Sequence, residues 1–365
     1  MIFMDRANTT KSLLRVKLLA KCGGDDPQKA WSQFLPHDNP HVGSCEFLFD
    51  SKERDYDWLV VYDDLPSSDK KERFTHSEEV LACSRRNTLL VTTEPITIKT
   101  YGTAYPRQFG HVLTSQEEWA IDHPGVIRSQ PALIWFYGKS WSEIAREDTL
   151  TKDSIISTVC SSKKQKHTLH HYRHRLTAQL KQKIPELSVY GHGVRPLEYK
   201  WQSLEPYSYH LAIENHAARH HWTEKLADAF LGQTLPFYYG CPNVYDYFPE
   251  ESLIPISLFH PDHTAEVIQR AIKDGEYGKR RGAILESRKR VLERYGIFSV
   301  LSEIVEERHQ ADRTDVGEKI ESRHALRRNH PISALHYGWE RLYARLRSLA
   351  YNRKLAKSPR DFLCQ

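Results

Sequence analysis

The run DYDWLVVYDDLP (55–66) constrains the fold more than any other segment. It is continuously apolar and then closes into acidic and proline turn residues, the pattern of a strand buried in a parallel sheet. NTLLVTTEPITIK (87–99) repeats the design, with an apolar strand Leu89–Val91 ending in Thr92, Thr93, Glu94 and Pro95. LRVKLLAKC (14–22) is a shorter strand candidate. Between the two clearer runs, SSDKKERFTHSEEVLACSRR suits a loop and a helix with Ser or Thr caps. Strand, crossover, strand is the βαβ grammar of a parallel sheet.

A second set starts near residue 150. DSIISTVCSSKK (153–164) predicts a strand ending in small polar residues, followed by a long helix over HTLHHYRHRLTAQLKQKI. LSVYGHG (187–193), YSYHLAIEN (207–215), the helix TEKLADAFLG and TLPFYYG (234–240) continue the alternation. The expectation is an α/β chain with two Rossmann-like domains facing across a cleft. The first covers 1–148, the second 149–305, and a linker with a basic amphipathic helix covers 306–365. A length of 365 residues suits two such domains. The 39% apolar content, with eight Trp and nineteen Tyr, excludes global disorder. In open sheets of this kind, ligands bind at the carboxyl ends of the strands.

The 52 Lys and Arg against 47 Asp and Glu make the chain mildly basic, which weakly favours an anionic partner. Its six cysteines (22, 45, 83, 160, 241, 364) show no CxxC and no regular spacing, so reduced thiols are expected in place of a disulfide framework. Charges break every apolar run of the N-terminus, arguing against a signal peptide. No stretch approaches the roughly 18 to 20 apolar residues that span a bilayer. The expected location is cytoplasmic, at most peripheral at the inner face of the cytoplasmic membrane. The tail supplies the reason for that qualification. Ten Lys or Arg and one acid, Glu340, lie between Arg323 and Arg360, and Leu335, Trp339, Leu342, Leu346 and Leu349 recur at alternating spacings of four and three. That is an apolar stripe on a basic helix, expected to pack against the body of the protein and suited also to an anionic membrane surface. A nucleic-acid partner is not expected.

The most informative stretch is LAIENHAARHHWTEKLADAFLGQTLPFYYG (211–240). Leu211–Ile213 end a buried strand and deliver Glu214 and Asn215 to the carboxyl edge. Thr223 is a natural N-cap for a helix with Glu224 and Lys225 in its first turn. Exposed N–H groups at a helix start attract phosphate, and a lysine there opposes the helix dipole unless it reaches an anion. On the residues alone, a plain capped helix and a binding site both fit.

The whole string resembles glycosyltransferase family 10, the α1,3/α1,4-fucosyltransferases. The resemblance is carried by Ile213-Glu214-Asn215-His216, Trp222-Thr223-Glu224-Lys225, Leu235-Pro236-Phe237-Tyr238-Tyr239-Gly240, and Phe248-Pro249-Glu250-Glu251-Ser252-Leu253-Ile254. Upstream, ISTVCSS (156–162), Arg173 and LSVYGHG with Gly191 are similar to further family segments, and Thr93-Glu94-Pro95 stands where the family has a catalytic Glu after an apolar strand. The sequence departs from the pattern at His216, in place of Ser or Thr, and at His221, where the family often has an aromatic residue.

The resemblance implies a GT-B fold and inverting transfer of fucose from GDP-fucose to a glycan hydroxyl, of the GlcNAc or LacNAc type, on lipopolysaccharide or another surface glycan. It implies Glu94 as the catalytic base, with Arg173 and Lys225 neutralising the pyrophosphate. Glu224 would hold ribose hydroxyls and Asn215 would orient the donor. Glu214, His221 and Gly191 join the donor-site candidates, Glu214 with either a ligand contact or a structural hydrogen bond. No permanently bound cofactor and no divalent metal are expected. Arg175 is the alternative to Arg173. A different nucleotide sugar, or a non-catalytic glycan-binding role, are the alternatives for the function. His170 and His174 share helical spacing without a third ligand nearby, and Asp63-Asp64 read as turn acids. No Walker A, GxSxG or GxGxxG motif occurs, which counts against a P-loop NTPase, an α/β-hydrolase and a nicotinamide enzyme.

Overall fold

The computed structural model describes residues 13–21, 26–67, 75–160, 168–191 and 195–357. Cys22, Ser161, Ser162, His192, Gly193, Cys364 and the N-terminal segment of the sequence analysis lie outside these residues. The first unit contains strands β1 (Leu14–Ala20), β2 (His41–Val42), β3 (Cys45–Leu48), β4 (Trp58–Tyr62), β5 (Glu78–Val80), β6 (Thr88–Val91), β7 (His111–Thr114) and β8 (Val126–Arg128). Apart from β5 they form one sheet in the order β2-β3-β1-β4-β6-β7-β8, parallel but for the β2 edge. Every residue of β4 and β6 is buried, as the unbroken apolar runs require of central strands covered on both faces.

The second unit holds β9 (Ser154–Val159), β10 (Leu187–Tyr190), β11 (Tyr207–Ile213), β12 (Leu235–Tyr239) and β13 (Ile254–Pro255), an all-parallel sheet ordered β10-β9-β11-β12-β13. The helices in chain order are α1 (Pro27–Ser32), α2 (Trp141–Ala145), α3 (His170–Lys183), α4 (Glu224–Leu231), α5 (Pro261–Lys273), α6 (Glu276–Lys279), α7 (Arg281–Glu293) and α8 (Ile297–Arg308). A last strand, β14 (Lys319–Glu321), precedes α9 (Arg323–Asn329) and α10 (Pro331–Lys357). Helices α3 and α5 cover one face of the second sheet, while α4, backed by α7, covers the other and joins a core continuous with the first unit. Two Rossmann-like sheets facing across a cleft are the GT-B arrangement expected from the sequence.

Two expectations need correction. No helix forms among the described residues between β4 and β6: Glu78–Val80 is a strand paired antiparallel with β14, followed by a 3-10 turn at Arg85–Asn87. The partner strand comes from residues 319–321, a pairing that no local pattern announces. The tail also behaves differently. α8 returns to the first unit, where Phe298 packs edge-on to Trp31, Phe47 and Phe49. α10 does rest on the body, but through Ala344, Ser348, Asn352 and Leu355, all buried. The apolar stripe points outward instead, with Leu335 78% and Trp339 68% exposed and Leu342 and Leu346 exposed beside them.

Candidate active site

Glu214 follows the last residue of β11 and is completely buried. Its backbone N–H donates to Tyr239 O (2.8 Å), which carries the parallel ladder one step past the strand. Its carboxylate accepts from Thr223 N–H (2.9 Å) and Thr223 Oγ1 (2.8 Å). Thr223 in turn caps α4, with Oγ1 accepting from Lys225 N–H at 3.4 Å. Glu214 is thus an internal strut that fixes the start of α4. A Cβ on Gly240 would collide with the Glu214 side chain and with Tyr238 Oη, so only glycine lets β12 end this close.

The residues before and after the cap are locked by aromatic packing. Trp222 is fully buried and meets Phe248 at 4.9 Å, Tyr295 at 5.4 Å and Tyr247 at 5.5 Å, each edge to face. Phe248 also contacts Phe230 of α4 at 4.8 Å. The two sequence segments around Trp222 and Phe248 therefore interlock directly.

With its entry fixed, α4 presents Glu224 and Lys225 to the cleft. Lys225 Nζ lies 2.7 Å from Glu224 Oε1, 3.2 Å from Thr223 Oγ1 and 3.5 Å from Glu214 Oε2. Burial works against the charge of Lys225, but Glu224 and Glu214 outweigh it and hold the ammonium above the usual lysine range. Burial likewise opposes ionisation of Glu224, and Lys225 and Lys200 outweigh it, leaving the carboxyl below its usual range. Both groups stay charged near neutrality.

Arg173 is buried on the inner face of α3, and Arg175 on the same helix is exposed, which separates the two alternatives. Arg173 Nη1 donates to Asn215 Oδ1 (2.8 Å) and to Ile213 O (3.3 Å), while its Nε has no partner among the described residues. Asn215 borders the cleft, so Arg173 stands directly behind it. Gly191 does not line the cleft. It has φ 131°, and a Cβ there would strike the backbone of Cys160, so its role is the close approach of the β10 and β9 ends. His221 does line the cleft, and its Nδ1 lies 3.2 Å from Ser115 Oγ of the first unit. His216 Nε2 pairs with Glu117 Oε1 at 3.0 Å. Both histidines that depart from the family pattern join the two units.

The opposite wall comes from the loop after β6. Glu94, Thr93, Pro95 and Ile98 border the same cavity as Asn215, Thr223, Glu224 and Lys225, a space of about 340 Å³. Gln116 Nε2 pins the loop by donating to Glu94 O (2.7 Å) and Lys99 O (2.9 Å), and Tyr101 Oη accepts from Thr93 N–H (3.0 Å). Asp63, in a left-handed turn at φ 75°, accepts from Lys99 Nζ (2.6 Å) and Tyr101 Oη (2.7 Å). Asp63 thus anchors the loop, Asp64 accepts from Tyr105 Oη (3.1 Å) and Arg323 N–H (3.1 Å), and Gln116, Lys99 and Tyr101 are supporting residues of the loop that sequence reasoning missed. The Glu94 side chain is accessible in the cleft. Crowding by the walls raises its carboxyl above the usual range; Lys99 and Lys225 pull it down, Glu224 and Asp63 push it further up. A raised, accessible carboxyl facing the Lys225–Glu224 ion pair is suited to accept a proton. Among the described residues no group of three or more potential ligands is placed to hold a metal, and no helix is long and apolar enough to cross a membrane.

Residues 149–278 match the family model for glycosyltransferase family 10 (fucosyltransferase), C-terminal part. Among solved structures, an α1,3-fucosyltransferase is 16% identical with a TM-score of 0.46, covering 81% of this chain and 95% of that chain. An α1,3-fucosyltransferase with GDP-fucose is also 16% identical, with a TM-score of 0.45 and coverage of 81% and 96%. A glycosyltransferase from Rickettsia africae is 8% identical, with a TM-score of 0.41 and coverage of 81% and 98%. No curated protein matches the sequence.

Proposed function

From the match of residues 149–278 to the C-terminal part of glycosyltransferase family 10, we propose that the protein transfers fucose from GDP-fucose, with inversion, to a hydroxyl of a glycan acceptor. The observation that carries the proposal is the facing of Glu94 and the Thr223-Glu224-Lys225 helix start across one cleft. Glu94 takes the proton of the acceptor hydroxyl as its oxygen bonds to the anomeric carbon and the bond to the diphosphate breaks. Lys225 and Arg173 stabilise the charge left on GDP, Glu224 accepts from the ribose hydroxyls and Asn215 orients the sugar. One base suffices, because a single displacement leaves no covalent intermediate to hydrolyse. The acceptor is a GlcNAc- or LacNAc-type unit of a surface glycan.

The test is transfer from GDP-fucose to an N-acetyllactosamine glycoside, with the product read by proton NMR. Inverted anomeric configuration is expected; retention overturns the mechanism. A thermal-shift comparison of GDP, UDP and CMP tests the nucleotide separately, and stabilisation by UDP but not GDP overturns the donor.

The outward face of α10 supports a peripheral contact with an anionic membrane. Leu335, Trp339 and Leu346 are exposed on the same helix as the exposed Arg353 and Lys354 near its end, an apolar strip on a basic helix. Cosedimentation with phosphatidylglycerol vesicles and none with phosphatidylcholine vesicles is expected; absence from both pellets removes this part of the reading.

A further inference from the structure

A second cavity, of about 560 Å³, opens at the carboxyl end of the first sheet next to the cleft. Ile98 borders both spaces, so the cavity begins where the Glu94 loop ends. Lys21 after β1, Asp64 after β4 and the 96–100 loop line one side, and residues of α9 and α10 line the other. Among the described residues, six cations surround the space (Lys21, Lys99, Arg323, Arg327, Arg341 and Arg345) against one carboxylate, Asp64.

Internal partners account for half of these cations. Lys99 is taken by Asp63 at 2.6 Å. Arg323 donates to Thr100 O at 2.6 Å and lies over the Tyr101 ring. Arg327 stacks on Tyr337 at 4.4 Å, a contact that leaves its N–H edges free to bond. Lys21, Arg341 and Arg345 have no carboxylate partner among the described residues.

The convergence is built into the fold. Tyr337, Arg341 and Arg345 follow one another at helical i, i+4 spacing on α10, so they share a face. That face is aimed by contacts along the helix: Glu340 accepts from Thr103 N–H at 3.0 Å, Arg347 lies over the Trp119 ring at 4.6 Å, and Tyr351 donates to Ala217 O at 3.1 Å. Like charges held together repel unless an anion sits among them, and guanidinium forks match the two-oxygen edge of a phosphate or carboxylate.

We propose that this cavity is an acceptor subsite for an oxyanion, a phosphate or carboxylate carried by the acceptor glycan close to the hydroxyl that Glu94 deprotonates. The inference rests on the first unit being the acceptor side, as the proposed function has it. It assigns the acceptor to the anionic glycans and makes Arg341 and Arg345 the specificity-determining residues.

The experiment has two arms. In the first, initial rates are measured with three acceptors sharing one N-acetyllactosamine core: a neutral methyl glycoside, a reducing-end phosphate and a glucuronate-extended form. The expected result is a KM at least about tenfold lower for an anionic acceptor at low salt, a gap that closes at high ionic strength. Arg341→Glu/Arg345→Glu is expected to erase the gap through KM, with kcat for the anionic acceptor changed less than about threefold. Preference for the phosphate form alone or the glucuronate form alone names the group and upholds the proposal; equal KM for all three overturns it. The second arm needs no transfer. N-acetylglucosamine 1-phosphate is titrated into the full chain saturated with GDP, which blocks the pyrophosphate site. Binding weakened at least tenfold in the double variant upholds the subsite even where fucose transfer fails, and equal binding by both proteins overturns it. Circular dichroism of the double variant, changed only at two exposed side chains, verifies the fold.

Discussion

The two walls of the cleft are built by opposite means. In the wall proposed to hold the donor, residues 214–225 close their polar groups on one another: Glu214 on Thr223, Thr223 on Lys225, Lys225 on Glu224. Across from it, the Glu94 loop is held by residues far off in the chain, Asp63 before it and Gln116 after it, and the cavity beside it is completed by residues 323–345. One wall is a local motif; the other is an assembly. The donor wall should therefore fail when one buried member is removed, whereas the acceptor side should lose chemistry or selectivity and keep its shape.

The largest expected effect falls on the assembled wall. Glu94→Gln removes the base and is expected to lower kcat by about 10²- to 10⁴-fold, while GDP affinity, read by calorimetry, stays within about threefold. A variant with normal turnover would move the base elsewhere. Lys225→Ala should give the reverse pattern. Loss of a charge-assisted contact of about 1.5–3 kcal/mol weakens GDP binding by roughly 10- to 150-fold. It also leaves Glu214 and Glu224 without their shared cation, so the thermal midpoint should drop as well. Unchanged GDP affinity would show that the helix start does not face the pyrophosphate.

Glu214→Gln separates strut from ligand. The carboxylate accepts two donors from Thr223, and an amide offers one oxygen for the same two. One buried group then goes unsatisfied, at a cost of about 1–3 kcal/mol. Chemical denaturation should register the loss, and saturating GDP should restore part of it by binding the folded state. If stability is unchanged and GDP affinity alone collapses, Glu214 touches the nucleotide directly.

The contrast between the walls also explains what could be read in advance. Trp222, Thr223, Glu224 and Lys225 were legible because a strand end, a cap and a first turn are local, and because Phe248, which packs on Trp222, lies in a segment of recognisable pattern. Arg173 could be named but not told from Arg175 without the helix orientation. On the proposed acceptor side the sequence offered only Glu94, and that through its resemblance to the family's Thr-Glu-Pro position after an apolar strand. Lys99 and Gln116 carry no signature, since their role depends on a neighbour brought in by the sheet. The expected helix before β6 failed for the same reason: its residues pair with β14, some 240 positions later in the chain. The stripe on α10 shows a further limit, because periodicity fixes which residues share a face and leaves open whether that face is buried. On α10 the buried face is mostly small and polar, Ala344, Ser348 and Asn352, with Leu355 at its end.

The finest test joins the two walls through one proton. Glu94 must be ionised to act, so kcat/KM should rise with pH through its folded-state pKa, which crowding in the cleft has raised above the ordinary glutamate range. Lys99 on its own wall and Lys225 on the facing wall both oppose that rise, Lys99 the more strongly. Lys99→Met should therefore move the acid limb to higher pH without removing the plateau, since a deprotonated base remains available above it. Lys225→Met should move the limb the same way, on top of its weaker GDP binding, which saturating donor separates from the pH effect. The direction of the two displacements is the measurement. If neither substitution moves the limb to higher pH, the titrating group is not Glu94, and the division of labour between a local donor wall and an assembled base fails at its central residue.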